Sequence, residues 1–326
     1  DKNAYNNQHH LYDKNLPENH QIIREFRQIV EDYDNRVLIG ETFIDSRLYD
    51  STIFYGNSNN ELHLPFGFEF PFSPWYPGYL QREIEKKELI TPAWAWPTQF
   101  LDNHDIPRHL SRWIECSLCT DPVSIAKAAA ALLLTLRGTP FLYYGQELGM
   151  IDNMDIPADQ LRDGAVVATE TGELPPSRDG ARTPMQWDDS PQAGFSFGAD
   201  VPPWLPVHKN YTDVNVKTEL TEPDSILNFY RQLIRIRQGS EALKLGSWQT
   251  LVVYPHEQLA YLRETAAETV LVLINFAYDK PLKEVIELEL DWQRWIVLLS
   301  TRFETGHVVD LPNSLEPFEV SILKKD

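Results

Sequence analysis

An α/β chain, the C-terminal half of a (β/α)8 TIM barrel followed by an antiparallel β-sandwich, is what two patterns in these 326 residues predict. Over residues 1–243 short apolar runs alternate with helical patterns, and the runs at 37–39 and 100–101 lead into the carboxylates Glu41 and Asp105. Beyond Gly246 the period changes to closely spaced short runs, as in a sheet built from hairpins. The expected organisation is a partial barrel at 1–243, with a long loop at 151–220, and a C-terminal sandwich at 244–326.

Buried parallel strands read as continuous apolar runs, and a barrel of alternating strands and helices keeps its functional residues where the strands end. Glu41 and Asp105 are therefore expected to face one pocket. A complete barrel needs eight strand–helix units over about 250 residues. About four are legible here, and the chain opens at Asp1 without a Met or a recognisable leader. It reads as the C-terminal part of a longer protein.

With 42% hydrophobic and 12% aromatic residues, the chain can bury a full-sized core. Its longest strongly apolar stretch, 126–136, is interrupted by Lys127 and Thr135 and is too short to cross a bilayer, so it reads as a buried helix. A net charge of −19 argues against nucleic acid, whose phosphates require clustered Lys and Arg, and favours a neutral substrate. Cys116 and Cys119 form a single Cys-x-x-Cys, read as a surface or helix-end pair rather than a metal or redox site.

Residues 1–16 are polar and aperiodic, a loop in which His9 and His10 lack the further ligands a metal needs. Pro17 opens an amphipathic helix whose Ile22, Ile23, Phe26, Ile29 and Val30 recur at helical spacing; this face should lie against the barrel. The strand at 37–39 then delivers Glu41. Residues 61–70 form a strand shortened by Pro65 and loosened by Gly67, with His63 and Glu69 assigned to structural hydrogen bonding. A helix at 76–89 shows a solvated charged face. Trp94 and Trp96 precede the strand ending at Asp105, close enough to a rim to stack on a ring, although packing is their favoured job.

Asp121 followed by Pro122 is an N-cap and first-turn pair, and the helix it starts runs to Arg137. Gly138-Thr139-Pro140 stops that helix, 141–144 is the last barrel strand, and Glu147 anchors the turn after it. Residues 151–220 are rich in Pro, Gly, Asp and Ser; loops of such length commonly carry function. A last amphipathic helix at 223–237 buries Ile226, Leu227, Tyr230, Leu233, Ile234 and Ile236, and short strands follow at 250–254, 260–263, 269–276, 286–290, 296–299 and 318–323.

Four segments, in order, resemble the α-amylase family of glycoside hydrolases. They are Gly40-Glu41-Thr42-Phe43, the run from Phe100 to Asp105 continued by Ile106-Pro107-Arg108, the run from Gly138 to Glu147, and Arg182-Thr183-Pro184-Met185-Gln186-Trp187. The resemblance is strongest to the α-glucosidase and oligo-1,6-glucosidase branch. It implies that Glu41 is the proton donor, that Asp105 binds sugar hydroxyls and stabilises the distorted ring, and that His104 hydrogen-bonds the same sugar. Residues 177–187 resemble a loop that α-glucosidases fold over the site, which makes Arg182 a lid residue, a substrate contact, a clamp on a site carboxylate or simply a pin for its own loop.

Retaining cleavage of a glycosidic bond needs a proton for the leaving oxygen and negative charge beside an oxocarbenium-like centre. Glu41 suits the first role, helped by burial and by a neighbouring acid such as Asp105, and Asp105 suits the second. The family's nucleophile is another aspartate, in a Gly-Phe-Arg-x-Asp pattern that these residues lack; it is expected before Asp1. Asp102, three residues before Asp105, is assigned a structural role rather than that of a replacement.

The resemblance thus implies a retaining α-glucosidase acting on short oligosaccharides as the parent protein, with this chain inactive alone. A transglycosylase or a sucrose or trehalose isomerase is the alternative within the family, since it uses the same acids. A non-catalytic binding or assembly subunit is the alternative of another class, and the joint presence of Glu41, His104 and Asp105 argues against it. No cofactor is identifiable, a structural calcium upstream being left open, and no metal ligand is assigned. Compartment and oligomeric state are not legible, with the cytoplasm favoured for the former.

Overall fold

The computed structural model describes residues 12–42, 51–68, 70–116, 121–163, 177–197, 200–251, 257–279, 281–283 and 294–326. Strand β1, Ile39–Glu41, pairs in parallel with β2, Leu64–Phe66, which sets Glu41 opposite Phe66. Pro65 has no N–H for a ladder, and its carbonyl is met instead by a side chain, Thr98 Oγ1 donating at 2.8 Å. Thr98 opens β3, Thr98–Gln99, which runs parallel to β4, Thr139–Pro140. Gly138, at φ +121°, permits that approach, because a Cβ there would sit 2.5 Å from the Pro97 carbonyl oxygen.

These strands are shorter than the apolar runs that announced them. The strand expected to reach Asp105 stops at Gln99, and the one expected at 141–144 is confined to Thr139–Pro140. Competition for backbone groups is the cause. One further ladder bond forms, Phe141 N to Gln99 O at 2.8 Å. Beyond it Arg112 donates to Leu101 O at 3.0 Å and Arg108 to Tyr144 O at 2.7 Å, so side chains take the partners that a ladder would use.

Helix α1, Pro17–Glu31, forms where its periodicity predicts, with Ile22 and Ile23 facing Gly40 and Leu62 across a cleft. Ile22, Phe26 and Ile29 are exposed. The helix docks through its polar side, where Arg27 donates to Glu61 O at 2.9 Å and the buried Glu61 carboxylate meets Arg24 and His20 at 2.6 Å each. A buried carboxylate requires such partners, and the cationic side of α1 supplies them.

Helix α2, Pro77–Ile90, follows the expected pattern, and α3, His109–Cys116, is an addition to it. Asp121 caps α4, Pro122–Thr135, accepting from Val123 N at 3.1 Å and Ser124 N at 3.2 Å. From Ile125 on, all of α4 but Lys127 is buried, and its run of alanines brings neighbours close to the backbone. Helices α5, Val216–Thr221, α6, Ile226–Gly239, and α7, Glu241–Leu245, complete the helical part. Ser225 Oγ accepts from Asn228 N at 3.1 Å and caps α6, which buries Ile226, Phe229, Tyr230 and Leu233. No described helix is long and apolar enough to cross a membrane.

The C-terminal strands are β5, Ser247–Thr250, β6, Gln258–Glu264, β7, Thr269–Asn275, β8, Leu282–Lys283, β9, Trp295–Ser300, β10, Val308–Val309, β11, Ser314–Leu315, and β12, Val320–Lys325. Six of them form an antiparallel sheet in the order β10-β9-β12-β7-β6-β5, and β8 pairs with β11 in a separate ribbon. In β7, Val270, Val272 and Ile274 join the core of α4 and α6, while Leu271 and Leu273 cluster with Leu282 and Leu315 of the ribbon. Both faces of this strand are covered, which explains its unbroken apolar sequence. The strand expected at 286–290 and the end of that at 250–254 lie outside the described residues.

Two arginines, the buried Arg263 of the sheet and the half-buried Arg237 of α6, converge on the end of α4. Arg263 of β6 donates to Thr135 O at 2.5 Å, Gly246 O at 2.9 Å and Ser247 O at 3.1 Å. Arg237 of α6 donates to Leu134 O at 2.7 Å, Leu136 O at 3.1 Å and Gly138 O at 2.5 Å. Both guanidinium groups thus cap the carbonyl end of α4, where positive charge opposes the helix dipole. Burial lowers each from its usual value to about 10.

Candidate active site

Glu41 ends β1, and the Asn103 side chain turns the segment after β3 back toward it. Asn103 Oδ1 accepts from Asp105 N at 2.8 Å and Ile106 N at 3.1 Å, a local turn of the kind Asn favours. A carboxylate oxygen of Glu41, a ring nitrogen of His104 and a carboxylate oxygen of Asp105 consequently all lie within 4.8 Å of one another. The three residues singled out in the sequence converge. Glu41 is exposed in this chain, so the burial expected of it is not found here. A cleft of about 460 Å³ beside it is lined by Asn19, Ile22 and Ile23 of α1 together with Gly40, Thr42 and Leu62.

Asp105 is held by two arginines from the long loop. Its Oδ1 accepts from Arg178 Nη1 at 2.6 Å and Arg182 Nη2 at 2.7 Å, and its Oδ2 lies 3.2 Å from His104 Nε2. Arg182 Nε also donates to His104 O at 2.6 Å, so one planar fork fixes both a site carboxylate and the backbone beside it. The clamp on a site carboxylate is the geometry present. Arg178 was not among the residues the sequence singled out, although it stands four positions before Arg182 in the same run. Its partner in the loop, Asp163, carried no motif that could have found it.

The loop itself is fastened to the residues after β4. Tyr143 Oη donates to Ala181 O at 3.2 Å, Tyr144 Oη to Thr183 O at 2.6 Å, and the buried Arg108 to Ala181 O at 3.0 Å. The Arg108 guanidinium also lies over the Tyr143 and Tyr144 rings at 4.9 and 5.1 Å. Arg178 and Arg182 are therefore presented from an anchored segment.

The remaining candidates have structural partners. Asp102 is buried and accepts from the backbone N–H and, at 2.7 Å, from Nδ1 of His109, which caps α3. Burial works to raise its pKa, but His109, Arg112 and Arg108 outweigh that and hold it below the usual carboxylate value. His63 Nδ1 accepts from Leu38 N at 2.9 Å. Trp96 lies beneath the Arg137 guanidinium at 5.2 Å, and Trp94 meets Tyr55 edge-on at 6.1 Å. Glu147 is half-buried at the turn after β4, and burial raises its pKa. His9, His10, Glu69 and Cys119, with the side chain of Cys116, lie outside the described residues.

Parallel strands carrying carboxylates at or beyond their ends, followed by an antiparallel C-terminal sheet, define a class, and comparison with known proteins places the chain within it. Residues 1–246 match the family model for the alpha amylase catalytic domain. The chain belongs to the α-amylase family of glycoside hydrolases. It is 30% identical over 283 residues to a probable alpha-glucosidase of Rhizobium meliloti (strain 1021), covering 87% of this chain and 50% of that protein. To an oligo-1,6-glucosidase of Parageobacillus thermoglucosidasius it is 30% identical over 298 residues, covering 83% and 52%. The crystal structure of an isomaltulose synthase mutant from Erwinia rhapontici NX5, in complex with sucrose, superposes with a TM-score of 0.79 at 30% identity, covering 94% of this chain and 58% of that one. The chain spans about half the length of the curated relatives it matches.

Proposed function

We propose that the complete protein is a retaining α-glucosidase that cleaves terminal α-glucosidic bonds of short oligosaccharides. The convergence of Glu41, His104 and Asp105 within 4.8 Å, in a chain of this family, carries the reading. Glu41 protonates the glycosidic oxygen as the bond breaks and then takes a proton from the incoming water. Asp105 and His104 bind the sugar hydroxyls and hold the ring in its distorted form. Arg182 keeps the Asp105 carboxylate in place. The Gly-Phe-Arg-x-Asp pattern that carries the family's nucleophile does not occur in these residues. Residues 1–243 form the barrel part and 244–326 the C-terminal sandwich. The names of the curated relatives, a probable alpha-glucosidase and an oligo-1,6-glucosidase, support hydrolysis.

The likeness to an isomaltulose synthase, at the same identity, supports a second reading in which the glucosyl group passes to fructose rather than water. Following the first-formed products by NMR separates the two. Hydrolysis with retention gives α-glucose first from maltose, isomaltose, sucrose or p-nitrophenyl α-glucoside, whereas a synthase turns sucrose into an isomeric disaccharide. A β-anomer, or no turnover of any of these by folded enzyme, would refute both.

A further inference from the structure

We propose that Asp163 is a positioning residue for the reaction, acting on Asp105 through Arg178; the proposal rests on the glycosidase reading above. The Asp163 side chain is fully buried, with 0% exposure, and both of its oxygens meet Arg178. Oδ2 accepts from Arg178 N at 2.9 Å and Nε at 2.8 Å, and Oδ1 accepts from Nη2 at 2.6 Å. Only Nη1 of that guanidinium is turned outward, and it donates to Asp105 Oδ1 at 2.6 Å.

The geometry makes a relay of three groups. Asp163 grips one edge of a planar fork and so fixes the direction of the other edge, which matters because the Arg178 side chain is 41% exposed and would otherwise sample several rotamers. Arg182 reaches the same Asp105 oxygen from the other side. Two donors converging on one oxygen leave the carboxylate plane little freedom, and a catalytic group displaced by about 1 Å can lose about a hundredfold in rate.

The base of the loop is closed reciprocally. Asp179 Oδ2 accepts from Arg162 N at 2.6 Å and Asp163 N at 2.9 Å, so each segment's carboxylate binds the other segment's backbone. This closure gives the control that separates loop stability from orientation of Arg178.

The experiment uses the complete protein with a disaccharide substrate and compares Asp163→Asn, Arg178→Ala, the double variant and Asp179→Ala, each corrected for its folded fraction. Asp163→Asn is expected to lower kcat/KM by about 10- to 100-fold and to add less than twofold in the Arg178→Ala background, because its effect on Asp105 passes through that residue. Asp179→Ala should lower Tm with a much smaller kinetic loss. Additive losses, an equal kinetic loss in Asp179→Ala, or unchanged kinetics in Asp163→Asn would overturn the proposal. A readout independent of activity is the Nε–H resonance of Arg178 in arginine-labelled protein. Slow solvent exchange that is lost on Asp163→Asn supports the relay, and its absence from the unsubstituted protein overturns it. Failure of the glycosidase reading would leave this resonance unaffected.

Discussion

Arg182 and Asp105 meet at 2.7 Å, and the same guanidinium holds the carbonyl of His104 at 2.6 Å. Charge on the loop thus fixes two successive residues of the segment after β3. Arg182→Ala in the complete protein should lower kcat/KM for disaccharides by about a hundredfold while shifting thermal unfolding by only about 2–4 °C. A large fall in Tm with normal kinetics in the folded fraction would assign Arg182 to its own loop alone.

Glu41→Gln keeps the shape of the side chain and removes the transferable proton. General acid catalysis contributes about 10²- to 10⁴-fold, and a good leaving group needs less of it. The expected outcome is a loss of that order on maltose or isomaltose and a much smaller one on activated aryl α-glucosides. Equal losses on both substrates would remove Glu41 from the proton-donor role.

Glu219 of α5 accepts from Leu227 N at 2.9 Å, and burial, reinforced by the charge of Glu147, pushes its pKa from 4.5 up to about 7. A carboxyl whose folded value is raised contributes its full stability below the unfolded value and loses that contribution as pH rises through the folded one. Wild-type stability should therefore carry a component that falls between about pH 4.5 and 7. Asp152, raised by burial to about 6, adds in the same direction. Glu219→Gln retains the acceptor and cannot ionise, so its advantage in urea denaturation should grow from pH 5 to pH 8, reaching about 3 kcal/mol at most. A gap independent of pH would contradict this.

Arg263→Met removes three donors from carbonyls at the junction of α4, α7 and β5 and leaves those of Thr135 and Gly246 buried. Unmet acceptors are costly, and the variant should lose about 2–4 kcal/mol in denaturant unfolding. Arg263→Lys, with a single point charge in place of the fork, should recover only part of that. Full recovery by lysine would show that charge rather than geometry secures the helix end.

The sequence revealed helices, the change from parallel to antiparallel strands and the converging acids because each follows from a local pattern or a short motif. Pro122 after Asp121 marked the start of α4, and Glu41, His104 and Asp105 came together as their motifs implied. Strand ends were less legible, since Arg112 and Arg108 decide where the β3–β4 ladder stops and both reach it from later residues. The polar docking of α1 was illegible for a related reason: its partner Glu61 lies far along the chain. Arg178 escaped notice because its significance depends on Asp163, and nothing in the spacing of those two residues marks them as a pair.

The carbonyl end of α4 has implications for how the polypeptide emerges during synthesis. Thr135 waits for Arg263, 128 residues later, and Leu134 for Arg237, 103 residues later. Until those arginines leave the ribosome, these carbonyls at the end of α4 lack their side-chain donors. A chain that ends before β6 would therefore hold α4 with the Thr135 carbonyl unmet by Arg263.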